Sequence, residues 1–112
     1  MTLGQKQRLF ARLVGKLIER AYEAGFELTL GEAWRSTATA RVMADQGKGI
    51  ANSLHCDRLA IDVNLFRGGA YLAQTEDHRP LGEWWEAQHE LCRWGGRFRD
   101  GNHYSIEDGG RK

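Results

Sequence analysis

The stretch Ser53-Leu54-His55-Cys56-Asp57-Arg58-Leu59-Ala60-Ile61-Asp62 carries an imidazole and a carboxylate at a spacing that one metal ion could use. From Leu59 onward the residues alternate. Leu59, Ile61, Val63 and Leu65 fall on one side and Ala60, Asp62 and Asn64 on the other, which is the period of a half-buried strand. A helix through the segment would separate His55 from Asp62 by roughly 10 Å along its axis, too far for two ligands of one ion. A bend after His55 followed by a strand lets them converge. Taken alone, a single His and Asp favour an ordinary core strand with one surface aspartate, so the metal reading turns on what lies elsewhere in the chain.

A third ligand candidate stands in Asp100-Gly101-Asn102-His103, where a strand histidine follows a turn carboxylate by three residues. His55, Asp62 and His103 make a set of two nitrogens and one oxygen. Zinc accepts that mix, and three protein ligands leave one position for water, the arrangement of a catalytic rather than a structural site. Other first-row divalent ions could use the same donors. Asp100 would then be the base, taking a proton from the attacking water and passing one to a leaving amine. Arg35 could hold the oxygen that becomes negative, or clamp a substrate carboxylate, with Glu32 three residues earlier to orient it. The plainer reading of Arg35 is a surface arginine in a local ion pair. His78, in a polar run, and His89, one helical turn after Trp85, read as structural or solvated. The Trp84-Trp85 pair reads as core, with one ring available as a cleft wall.

Thr2 with Gln5 resembles a capping box, and Phe10, Leu13, Val14, Leu17, Ile18 and Ala21 recur at helical spacing up to Gly25. The other face of this helix carries Lys6, Arg8, Arg12, Lys16 and Arg20, a solvated face that could also favour an anionic surface. Phe26-Glu27-Leu28-Thr29-Leu30 alternates like a strand, and Ser36 or Thr37 can cap a short helix that stops at Gly47. After the strand through Phe66, Arg67-Gly68-Gly69-Ala70 suits a hairpin turn returning through Tyr71-Leu72. Gln74 to Arg79 reads as loop. Pro80 suits the start of a helix whose inner face is Leu81, Trp84, Trp85, Gln88, Leu91 and Cys92, broken by Trp94-Gly95-Gly96. Asp100-Gly101 is a tight turn into a last strand, and Glu107 to Lys112 reads as a frayed polar tail.

At 112 residues the chain suits one catalytic domain, 1–112, with its motifs between about 32 and 106, large enough to bury roughly 60–70% of its unfolded surface. Sixteen basic against fifteen acidic residues, without runs of either sign, leave no footprint for nucleic acid. Cys56 and Cys92 form no metal or disulfide framework and fit a reducing compartment. Charges interrupt the apolar stretch Leu9 to Ala21, so it is neither a signal-peptide core nor a transmembrane segment.

Ser53-x-His55-x6-Asp62, Asp100-x-x-His103, Glu32-x-x-Arg35 and Trp94-Gly95-Gly96, in that set and spacing, resemble the zinc D-Ala-D-Ala carboxypeptidase and L-alanyl-D-glutamate endopeptidase family, whose small members are often bacteriophage endolysins. The resemblance implies an α+β domain of the Hedgehog/D,D-peptidase type, with helices packed on a small antiparallel sheet. It implies Zn2+ on His55, Asp62 and His103, Asp100 as catalytic base, Arg35 as the stabiliser of substrate or oxyanion, and Ser53 and Arg58 as further substrate contacts. The partner it implies is a peptidoglycan stem peptide, cut by a monomer at the L-alanyl-D-glutamate bond. The alternatives are a D-alanyl-D-alanine carboxypeptidase or dipeptidase, or a non-catalytic zinc module that binds the wall. A chain made in a host cytoplasm without a signal peptide would reach the wall through a holin or on a virion. Two positions depart from the family pattern: Arg58 stands where Gly is frequent, and Asp100 where many members have Glu.

Overall fold

The computed structural model describes all 112 residues, Met1–Lys112. Helix α1, Leu3–Glu23, begins at the capping box: the Gln5 amide donates to Thr2 Oγ1 (3.1 Å) and the Thr2 amide to Gln5 Oε1 (2.8 Å). Two otherwise orphan donors are thereby satisfied. Its apolar stripe of Phe10, Leu13, Leu17 and Ala21 is buried, each leucine contributing about 1.5–3 kcal/mol by leaving water. The helix closes at Ala24 and Gly25, the latter at φ 87°. No helix is long and apolar enough to cross a membrane.

The remaining elements are β1 (Glu27–Leu30), α2 (Thr37–Asp45), β2 (Ala60–Arg67), β3 (Ala70–Leu72), α3 (Arg79–Glu86), β4 (Cys92–Trp94) and β5 (His103–Ile106). The fold is α+β, with helices on a small antiparallel sheet ordered β1-β2-β5-β4, and β3 paired to β2. β2 is the axis of this sheet. Its first residues, Ala60–Asp62, pair with β5, and its later ones with β1 and β3. Leu59, Ile61, Val63 and Leu65 are buried as their alternation requires, in one core with Trp85, Trp94, Tyr104 and Ile106. The short α2 is capped by Ser36, whose Oγ accepts from the Thr39 amide at 3.0 Å.

Three local expectations are corrected. The run Gln74 to Arg79 is not open loop: Thr75–His78 forms a 3₁₀ turn, and Asp77 accepts from the Gln74 amide at 3.0 Å. The helix begun at Pro80 does not continue to Cys92 but ends at Glu86. Cys92–Trp94 is instead a strand whose alternate residues Cys92 and Trp94 are buried, because β5 offers it a free edge. Hydrogen bonding across the sheet outweighs the helical spacing of Leu91 and Cys92. Finally, Glu107 to Lys112 is not frayed. Arg111 reaches Asp57 Oδ2 (2.8 Å) and Asn52 Oδ1 (3.2 Å) and pairs with Asp108, which Lys6 also holds at 2.8 Å.

Candidate metal centre and its cleft

The sheet register brings two of the candidate ligands together. Asp62 and His103 are direct cross-strand partners of β2 and β5, so their side chains rise side by side from one face. His55 comes from the 3₁₀ turn Leu54–Asp57, which Ser53 begins by accepting the His55 amide on its Oγ at 3.1 Å. This turn is the bend that the His55–Asp62 spacing demands. The chain after β1 is laced to the same place, since the Asp62 amide donates to the Glu32 carbonyl (3.0 Å) and the Arg35 amide to the His55 carbonyl (3.2 Å).

His55 Nε2 and His103 Nδ1 lie 3.4 and 3.5 Å from the same oxygen, Asp62 Oδ1. One ligand atom from each of the three residues falls within 4.8 Å of the others. Tetrahedral zinc with bonds near 2.1 Å spaces its ligands by about 3.4 Å, so the donor set fits such an ion in type and in spacing. Both imidazoles are buried, at 3% and 7% exposure, and His55 Nδ1 and His103 Nε2 have no hydrogen-bond partner. Burial would raise the Asp62 carboxyl, but the imidazoles of His103 and His55 outweigh it and hold the group well below the usual carboxylate range. Asp62 therefore offers a carboxylate at any physiological pH.

Around the three residues opens a cleft of about 630 Å³. Asp100 stands in its wall, with Oδ2 3.8 Å from His103 Nδ1 and its side chain 52% exposed. Burial pushes the Asp100 carboxyl above its ordinary value against the pull of His103, and the nearby Asp62 charge adds to the rise. Arg35 also lines the cleft. Glu32 accepts from its Nε at 2.7 Å and pairs with its Nη2, leaving Nη1 without a partner. Glu32 Oε1 also lies 3.8 Å from His55 Nδ1, beyond hydrogen-bond distance.

Of the residues singled out in the sequence, His55, Asp62, His103, Asp100, Arg35 and Ser53 share this cleft and Arg58 does not. Arg58 occupies the left-handed region at φ 57°, ψ 38°, and its guanidinium lies 5.0 Å from the centre of the exposed Trp34 ring. A left-handed residue ends the 3₁₀ turn here. Glycine adopts that conformation freely, whereas a side chain costs about 1–2 kcal/mol. Ser53 lines the cleft, but its hydroxyl oxygen is engaged as the cap of the His55 turn. Neither Trp84 nor Trp85 forms a wall. Trp85 is fully buried, and the aromatic wall is Phe98, its ring centre 5.7 Å from that of His103. Only its place in a short Arg97-Phe98-Arg99 run before the Asp100 turn could have drawn attention to it. Lys48, Ile50 and Arg111 also line the cleft, and no local sequence signal marks them. His78 is structural, its Nδ1 2.9 Å from the Tyr104 hydroxyl.

The fold and the site together describe an α+β domain with a His-Asp-His group in an open cleft. No protein-family model matches the chain, and no curated protein matches it in sequence. Among solved structures it is similar to the crystal structure of Serratia marcescens L-Ala D-Glu endopeptidase ChiX, with a TM-score of 0.70 and 22% sequence identity. The match covers 87% of this chain and 79% of that one, and at this identity it shows a shared fold.

Proposed function

We propose that this chain is a zinc-dependent peptidoglycan peptidase that hydrolyses a stem-peptide amide, the L-alanyl-D-glutamate bond. The observation that carries the reading is the convergence of His55, Asp62 and His103 at one point of a cleft that also receives Asp100 and Arg35. The likeness to a protein described as an L-Ala D-Glu endopeptidase supports the choice of substrate.

His55 Nε2, Asp62 Oδ1 and His103 Nδ1 would hold the ion. Zinc there supplies Lewis acidity and lowers the pKa of a coordinated water toward neutrality. Asp100 removes the proton from the attacking water and later delivers one to the leaving amine. Its half-exposed carboxylate in the wall of the cleft is placed for that double duty. Arg35, with Nε and Nη2 engaged by Glu32, presents Nη1 to the carbonyl oxygen as negative charge develops, or to a substrate carboxylate. Phe98 shields one side of His103 from water.

The test is a digest of purified peptidoglycan with and without a chelator, with released fragments and new termini read by mass spectrometry. Chelator-sensitive appearance of amino termini on D-glutamate is the expected result. Release of free D-alanine would replace the endopeptidase reading with the carboxypeptidase one. Full activity in His55→Ala or Asp100→Asn would refute the site, and zinc binding without any cleavage would point to a wall-binding module.

A further inference from the structure

The Asp100 carboxylate accepts no hydrogen bond from any protein group, and its side chain is half exposed. Apart from the His103 imidazole 3.8 Å away, only its own backbone sets where it points. That backbone is an eight-residue excursion, Gly95–Asn102, between the paired strands β4 and β5, and it would be free to move unless tied at its neck. Hydrogen bonds tie it at several points: the Asp100 amide donates to the Gly95 carbonyl at 2.9 Å, the His103 amide to the Asp100 carbonyl at 3.0 Å, the Val63 amide to the Asn102 carbonyl at 3.0 Å, the Arg97 guanidinium to the Glu86 carboxylate at 2.7 Å, and the Trp94 indole Nε1–H to the Gly101 carbonyl at 2.8 Å.

Of these only the indole bond runs from a side chain to the peptide beside Asp100, and the indole making it has no freedom to drift. Trp94 is fully buried. A Cβ on Gly82 or Gly96 would come within 2.1 or 2.2 Å of its ring atoms, so bare backbone approaches the ring at both positions. The guanidiniums of Arg79 and Arg97 lie 5.2 and 5.4 Å from its ring centre. The turn is also backed from outside, because a Cβ on Gly101 would stand 2.5 Å from Thr75 Cα. The peptide that follows Asp100 is thus clamped between an immobile indole and the Thr75–His78 turn.

Building on the proposed role of Asp100 as base, we infer that Trp94 is a positioning residue for Asp100, acting through the bond from its indole N–H to the Gly101 carbonyl. Without that bond the carbonyl loses its buried donor and the turn relaxes, carrying the carboxylate away from the water it must deprotonate. A displacement of about 1 Å at a reacting group can cost on the order of a hundredfold in rate. The side chains of His55, Asp62 and His103 lie outside the excursion and are placed by the Leu54–Asp57 turn and the β2–β5 pairing, so zinc binding should persist even as the His103 amide loosens.

The experiment compares Trp94→Phe with Trp85→Phe in the zinc-loaded protein. Trp85 is a matched control: it is equally buried, and its Nε1–H donates to the Arg93 and Ser105 carbonyls at 3.1 and 3.0 Å, away from the Asp100 turn. Both variants lose a buried indole hydrogen bond and should melt earlier. Trp94→Phe should lower kcat at least about tenfold, with KM within about twofold of the parent and zinc content unchanged. Trp85→Phe should keep kcat. In the metal-free protein, amide exchange at Asp100 and His103 should quicken in Trp94→Phe and not in Trp85→Phe. If Trp94→Phe does not fold, Gly101→Ala, which pushes the same turn away from Thr75, should show the same fall in kcat. An unchanged kcat in a folded Trp94→Phe or in Gly101→Ala, or an equal fall in Trp85→Phe, overturns the inference. Asp100→Asn separates the two levels: if it remains active, the base assignment falls and Trp94's role with it. If it is inactive while Trp94→Phe keeps kcat, only the role of Trp94 falls.

Discussion

Replacing Arg111 by alanine should destabilise the whole fold, although sequence alone places this arginine in a frayed tail. Its guanidinium donates to Asp57 Oδ2, Asn52 Oδ1 and the Asp108 carbonyl, and it pairs with the Asp108 carboxylate, binding Glu107–Lys112 across the turn that carries His55. The side chain keeps 19% of its exposure, so solvent screens each pair to less than about 1 kcal/mol. Two carboxylates and two neutral acceptors together give about 1.5 kcal/mol. With an unfolding entropy of about 2.1 cal/mol/K per residue, 112 residues give about 0.24 kcal/mol/K, and the loss becomes about 6 °C in Tm. Thermal melting of parent and Arg111→Ala at low ionic strength measures it directly. The difference should shrink at 1 M salt, where the screening length is about 3 Å. It should also shrink as pH falls through the carboxylate range. Lys6 and Arg111 hold the Asp108 carboxyl below its ordinary value, so this stabilisation is present above the unfolded pKa and disappears as the folded group protonates. In a double-mutant cycle with Asp57→Asn the effects should not add. A Tm within 1 °C of the parent at low salt, or a loss indifferent to salt, would refute this account of the segment.

Arg35→Lys should lower kcat/KM by about 10²-fold while zinc binding holds, because an ammonium cannot both meet Glu32 through two nitrogens and present a third; steady-state kinetics beside metal analysis decides it. His78 is buried against Tyr104, and burial lowers its pKa against the pull of Asp77. The unfolded chain therefore binds the proton more readily. Stability should be full above about pH 6.5 and decline as pH falls toward the folded pKa, and a His78→Gln variant should show a flatter Tm profile between pH 7 and 5. Burial pushes the Cys92 thiol up to about 11, and both cysteines are free. At pH 8 an alkylating agent should label the half-buried Cys56 in the native protein and reach Cys92 only after denaturation, which intact mass would count.

The readable parts of this protein were those in which a residue and its near neighbours settle the matter. Thr2 and Gln5 bond each other across one helical turn, Ser36 caps its own helix, and the alternation from Leu59 to Leu65 needs only one buried face. The spacing from His55 to Asp62 likewise demanded a bend before a strand, and the 3₁₀ turn Leu54–Asp57 is that bend. What the chain could not reveal locally is everything that depends on which surfaces meet. Cys92–Trp94 is a strand because β5 lies beside it, a long-range pairing that overrides helical spacing. Arg58 turns to Trp34 because a left-handed residue ends the turn there, and Arg111 is ordered because Asp57, distant in sequence, stands beside it. The His-Asp-His donors were legible as types and spacings. Their common focus arises from the register of Asp62 against His103, a relation between strands some forty residues apart that local periodicity does not encode.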